Sequence, residues 1–538
     1  MIPELIIAAD TIHTLDDDPW PYTAVAVAGG RIAALGTRDD IAGWVSRDTE
    51  VVDLGSATVT PGLIDCHIHP VMGAEMTLGV GLLGAGTVEE LQQMLHEASA
   101  GLGAEDWVRG WGLDPNLFGG QPITHELIDR AAGGRPTLLR LFDGHSALVS
   151  KAALNRAGIT GPRQFHDGST IVCDPDGHPT GLLHEMAAMD LVVSVMPEIT
   201  GVELTRLVRE ALTDMARHGI TGAHALEHTA RASKVYAAIE DDGDLPIRLR
   251  CFPWCLPGTT ESEWKDLVGM QGLGGRRWSV GGVKLFIDGT VDNGTAWLAS
   301  PDTLGESLTS VWSDPETYAA AVAFLHANGV PTTTHAIGDR AVERVLQAID
   351  SATGVSGNGI RHRIEHIETI PDAVVEQFAR LSVTASMQPT HCTEYTKPDG
   401  SDNWSMRLGP ERASHGWRCR DLHDAGVPVV LGSDWPIAHF DPRGVLAAAQ
   451  LRRRGGEPTR RPIHPEQAIG ARIALEGYTS RAAWSVGEEG VAGTVSAGKR
   501  ADLTAFTVDP LQADPDELAS APIAMTVVDG RIQHRDDE

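Results

Sequence analysis

At 538 residues, with 42% hydrophobic and 22% charged side chains, the chain has the length and composition of a soluble globular enzyme with a large buried core. Its net charge of −30, from 43 basic against 73 acidic residues, argues against nucleic-acid binding, which needs clustered Lys and Arg. Six scattered cysteines form no CxxC pair, the first residues lack a basic n-region, and no apolar stretch reaches the roughly 18 residues of a membrane span, so a cytoplasmic, reduced protein without a membrane partner is expected.

The first sixty residues read as short strands broken by Gly- and Asp-rich turns, in ELIIAAD, TAVAVAGGRIAALG and TEVVDLGSATVTPG. Residues 485–538 have the same texture, and AGGRI at 28–32 is echoed by VDGRI at 528–532, each a hairpin signal. The two ends together predict one small β-sandwich, 1–60 plus 485–538. Between them, apolar runs ending in polar residues alternate with helical segments. The runs are GLIDCHIH (62–69), ITGAHAL (220–226), PIRLRCFPW (246–254), GGVKLFIDG (281–289), VPTTTHAIGD (330–339), RHRIEHIE (361–368), SVTASMQP (382–389) and VPVVLGSDWP (427–436). Helices such as 202–219 and 315–329 intervene, each closed by Gly. Eight strands alternating with helices is the count of an α/β fold of the (β/α)8 TIM-barrel kind over 61–484. The long interval at about 70–219 must hold an inserted subdomain, with strands at 136–145 and 181–185, forming a wall or lid of the site.

The strand ends carry the chemistry. The first predicted strand ends in His67 and His69, the fourth contains Lys284, the fifth ends in His335, the sixth in His366 and the eighth in Asp434. Residues i and i+2 of a strand point to one side, so both histidines of His67-Ile68-His69 can face the barrel mouth. Four imidazoles and a carboxylate on one rim form a site for a first-row divalent metal, zinc above all. Such a metal lowers the pKa of bound water from near 16 to about 7. Asp434 would accept the water's proton and return it to a leaving group as general base and acid. A cap on the helix after the SDWP turn is the other role open to Asp434.

PGLIDCHIHP, DGHSALVS, GGVKLFIDG, THAIGDRAVERVL, RHRIEHIE and LGSDWPI resemble the blocks of amidohydrolase family 3, within the amidohydrolase superfamily, over essentially the whole chain. The resemblance implies a distorted (β/α)8 barrel with a composite β-sandwich, and hydrolysis of carbon–nitrogen bonds other than peptide bonds with one or two metals. An N-substituted formamide deformylase belongs to the same group, suggesting N-acyl or N-formyl substrates. Carried over, His67, His69 and Asp434 would hold one metal and His335 and His366 a second. Lys284 would bridge them as a CO2-derived carbamate, since an ammonium has donors only and cannot ligate a cation. With six lysines against 37 arginines, a Lys kept in mid-strand favours that reading. The alternatives are an ion pair to Asp288 or Asp434, a bridge from Glu185 or Cys66, or a single metal.

Around this shell, Asp339 and Glu365 are candidates to orient imidazoles, with Asp339 equally readable as a helix cap. Asp143, His145, Gln388, His391 and Trp297 are candidate pocket residues; His224 reads better as a core histidine. Arg340, Arg363 and Arg443 could pair with a substrate carboxylate. The expected partner is a small molecule, and a homodimer is the default assembly. The rival functions are a single-metal deaminase and a non-catalytic binding relative.

Overall fold

The computed structural model of the protein describes residues 2–16, 20–165, 168–354 and 359–536. Two sheets are built from the ends of the chain. One orders Arg31–Gly36, Ala24–Ala28, Leu5–Ala8 and Glu50–Asp53; the other interleaves Thr11–Ile12 and Thr58–Pro61 with Leu503–Phe506, Ile523–Val528 and Arg531–Arg535. Alternating apolar residues give them a common core: Leu5, Val25, Val27 and Val59 pack with Leu503, Met525 and Val527. The two predicted hairpins form, with Gly29-Gly30 and Asp529-Gly530 at positive φ (+58°, +71°, +57°, +71°) as a two-residue turn requires.

The central region is a set of parallel strands with helices between them. Leu63–Ile68, Ile220–Ala225, Arg248–Cys251 and Trp278–Val280 pair in one sheet. Trp254–Cys255, Val283–Phe286, Thr332–Ala336, Arg363–His366, Thr384–Met387 and Val429–Leu431 pair in a second. The run at 246–254 splits because Pro253 has no N–H to give to a ladder, and the short strand Trp278–Val280 adds to the predicted set. The exit of the last strand returns to the first: Asp434 N donates to His67 O (2.8 Å) and His69 N to Trp435 O (2.9 Å). The arrangement is TIM-barrel-like.

Between the first two parallel strands lies a further six-stranded sheet, ordered Thr170–Cys173, Pro179–His184, Ser146–Val149, Thr137–Leu141, Val108–Leu113 and Val80–Gly81. The run predicted as one strand at 136–145 ends at Leu141, because Gly144 (φ +71°) turns the chain into the antiparallel Ser146–Val149. Among the described residues, no helix is long and apolar enough to cross a membrane.

Candidate metal centre

The strand ends deliver the predicted side chains to one cavity of about 440 Å3, walled by His67, His69, Lys284, His335, His366 and Asp434 together with apolar and aromatic residues. One ligand atom each of His67, His366 and Asp434 lies within 4.8 Å of the others, all three side chains being buried. Asp434 Oδ1 stands 3.2 Å from His67 Nε2 and 3.3 Å from His69 Nε2; its Oδ2 stands 3.8 Å from His366 Nδ1 and 3.7 Å from His391 Nε2. The backbone is strained at these points. His366, Ile367 and Asp434 sit at φ of +73°, +52° and +60°, a region that residues with a Cβ enter at a cost and that clusters at functional sites.

Electrostatics keep the donors in ligating form. Burial pushes His67 down to about 4, and holds His335 and His366 well below the ordinary imidazole value, so these rings are neutral at pH 7. Burial alone would raise Asp434, but His69 beside it, by hydrogen bond and by its field, holds the carboxyl well below the usual range. His67 Nδ1 faces Glu365 Oε2 at 2.8 Å, and Glu365 also accepts from Arg363 Nε (2.5 Å) and Thr333 Oγ1. Burial opposes ionisation of Glu365, yet Arg363 and His67 overcome it and hold the carboxyl far below its ordinary value. The ring proton of His67 is therefore on Nδ1, and Nε2 presents a lone pair to Asp434. An imidazole lone pair facing a carboxylate oxygen at 3.2 Å is repulsive unless a cation lies between them. His69 Nδ1 and His391 Nε2, both buried, make no hydrogen bond among the described residues. The donor set fits a divalent metal.

Lys284 is 1% exposed, and burial brings its ammonium down to about 8. Among the described residues no carboxylate lies within 4.0 Å of it, so the ion pair with Asp288 or Asp434 that the sequence allowed is not formed; Phe286 lies beneath the amine, 5.0 Å from its ring centroid. Asp288 instead accepts from the N–H groups of Trp297, Ile337 and Gly338 (2.8, 3.0 and 2.9 Å), and so fixes the loop that follows His335. Cys66 points away from the cavity into a small cluster with Val430 and Ala482, and cannot bridge. Glu185 does reach the cavity, with Oε2 2.8 Å from His145 Nδ1. Burial alone would lower His145, but Glu185 carries it up to about 9.

Of the outer candidates, Asp143, His145 and His391 line the cavity, and Gln388 and Trp297 do not. Gln388 is fully buried. Asp143 accepts from His145 N and Thr290 Oγ1 (both 3.1 Å) and from Asn293, which shapes the turn after Leu141. Asp339 opens the helix Asp339–Thr353 and accepts from Ala299 N (2.8 Å), away from any imidazole. Glu365 orients His67 across the sheet, not its sequence neighbour His366. His224 is a core residue 2.8 Å from Arg363 Nη1. Arg363 is held by Glu365, while Arg340 and Arg443 pair with Glu343 and Asp441. None of those three arginines reaches the cavity. The sequence reading missed Glu368 and Asp292, which face the cavity with Trp404 and Trp417, and whose carboxyls burial pushes up to about 8 and about 7.

Imidazoles and a carboxylate converging at the C-terminal ends of parallel strands are the construction of metal-dependent hydrolases on TIM-barrel-like folds. The amidohydrolase family model matches residues 50–534, and the chain belongs to that family. It is similar to the protein YtcJ of Bacillus subtilis, 29% identical over 97% of each chain. It is also similar to the N-substituted formamide deformylase of Arthrobacter pascens, 26% identical over 99% of this chain and 98% of that one. Among solved structures it resembles an uncharacterized metal-dependent hydrolase from Pyrococcus horikoshii, with a TM-score of 0.71 and 22% identity over 95% of this chain and 99% of that one.

Proposed function

We propose that this metal-dependent hydrolase cleaves a non-peptide C–N bond of a small molecule, an N-acyl or N-formyl amine, with Asp434 as general base and acid. The observation that carries the reading is the pair of facing acceptors, His67 Nε2 and Asp434 Oδ1, 3.2 Å apart in a buried cavity. His67, His69 and Asp434 would hold one divalent ion and His335 and His366 a second, with a nitrogen-rich donor set that suits zinc. Lys284, buried and without a carboxylate within 4.0 Å among the described residues, would carry the carbamate bridging the two. When bound, such an ion supplies Lewis acidity and brings the pKa of a coordinated water to about 7. Asp434, ionised and with Oδ2 turned to the cavity side shared by His366 and His391, takes the attacking water's proton and returns it to the leaving nitrogen. His391 and His145 line the same cavity beside that path.

With this reading we infer a distorted (β/α)8 barrel over 61–484, a β-sandwich from 1–60 and 485–538, and an inserted subdomain at about 70–219 as a wall of the cavity. Six free cysteines suit a reducing, cytoplasmic compartment, and twofold assembly is the commonest for such enzymes, which light scattering tests. The decisive experiment measures metal per chain, together with crystallographic density at Lys284 and turnover of a panel of N-formyl and N-acyl amines. Two metals, extra density on the lysine and amide hydrolysis are expected. One metal beside a bare amine would instead promote a single-metal deaminase.

A further inference from the structure

Besides His145, which is paired with Glu185, the cavity contains a cationic side chain that the metal chemistry leaves unused, Arg140. Arg140 belongs to the strand Thr137–Leu141, in which Leu138 and Arg140, followed by Phe142, share one face by strand alternation. Arg140 and Phe142 line the metal-site cavity, and Leu138 and Arg140 line an adjoining cavity of about 330 Å3. The ladder to the neighbouring strand Val108–Leu113 breaks opposite Arg140. Leu139 pairs with Gly110 but Leu141 with Leu113, so the neighbour carries one extra residue, with Gly112 at φ +76°. Bulges of this kind re-aim side chains beside functional sites.

The half-buried guanidinium is poorly satisfied. Its one hydrogen bond among the described residues goes to the thioether of Met189 (3.7 Å), and no carboxylate among them lies within 4.0 Å. Glu75, which lines the same wall, is already bound to Arg231 at 2.5 Å. Asp190 and Glu75 act on Arg140 through the field only, and Arg109 opposes them. The neighbouring Arg109 is turned elsewhere and donates to the Pro197 carbonyl (2.9 Å). A planar fork of five donors facing a cavity is built to receive an anion, and carboxylate matches it two bonds at a time.

We propose that Arg140 is the subsite for a carboxylate on the part of the substrate remote from the bond that is cut. This rests on the hydrolase reading above, which puts the scissile amide at Asp434. The test uses a matched pair of probes, 4-formamidobenzoate and 4-formamidobenzamide, which differ in charge but hardly in shape. Calorimetric Kd values are measured on metal-stripped protein, and kcat/KM on the metal-loaded enzyme. The wild type is expected to prefer the acid at least tenfold, mostly in Kd and KM. Arg140→Met brings the ratio to near one, and Arg140→Lys, which keeps the charge without the fork, leaves it in between. Equal affinity for acid and amide in the wild type, binding of neither, or a preference that survives in Arg140→Met overturns the inference. Selective binding of the acid without hydrolysis upholds the subsite and sinks the amidase reading instead.

Discussion

Replacing Glu365 by Gln changes one heavy atom in a fully buried side chain, and its effect can be worked out from the bonds that Glu365 makes. One carboxylate oxygen accepts from Arg363 Nε and Thr333 Oγ1, and the other from His67 Nδ1. In Glu365→Gln the amide oxygen can keep the first two donors, which leaves the NH2 group against His67 Nδ1. Two donors cannot face each other, so the ring must move its proton to Nε2, the atom 3.2 Å from Asp434 Oδ1. The lone pair needed for the metal is then gone. Loss of such outer partners costs about 10- to 100-fold in metal affinity, or about 1.4 to 2.7 kcal/mol. Arg363, 3% exposed, also loses a full counter-charge, so the metal-free protein is less stable as well. Chelator competition gives the affinity, and thermal melts with and without metal separate the two effects. Unchanged affinity in a folded Glu365→Gln protein would refute the assignment of Nε2 as the ligating atom.

Further outcomes follow from the same geometry. Asp434→Asn should lower kcat by about 100- to 10,000-fold, the usual contribution of a positioned base; ordinary activity in a metal-loaded variant removes Asp434 from the chemistry. Lys284→Met should leave at most one metal per chain by elemental analysis, and should raise the melting temperature of metal-free protein, because a buried ammonium without a close carboxylate is replaced by an apolar chain. Asp292 has its folded-state pKa raised to about 7 by burial, so its stabilising contribution is complete below about pH 4 and is lost as pH rises toward 7. Asp292→Asn should therefore stabilise the protein more at pH 8 than at pH 5, and an equal gain at both would contradict that burial effect.

The parallel strands and their rim were legible because each is a compact apolar run closed by one polar side chain; the observed Leu63–Ile68, Ile220–Ala225 and Thr332–Ala336 lie within the runs read from the sequence. His-x-His announces itself by strand alternation alone. The partners of those ligands were harder to read, since pairings that cross the sheet leave no local pattern. Glu365 sits beside His366 in sequence, yet serves His67, 298 positions away. Arg363 looked available to a substrate, but its neighbours Glu365, His224 and the Cys66 carbonyl surround it on all sides. Arg140 was passed over because nothing local to Thr137–Leu141 tells which face of that strand meets a cavity built mainly from other parts of the chain.

The sheet that interleaves both ends of the chain sets the order in which the molecule can assemble. Thr504 Oγ1 accepts from Leu63 N (3.3 Å) and donates to Gly219 O (2.6 Å), so a residue near the C-terminus fastens the roots of the first two parallel strands. That fastening spans 441 positions, and contacts so distant in sequence are the slow ones to form. During synthesis, the strand bearing His67 and His69 leaves the ribosome long before its anchor exists. The root of the strand that carries both histidines is thus held by a residue made several hundred positions later.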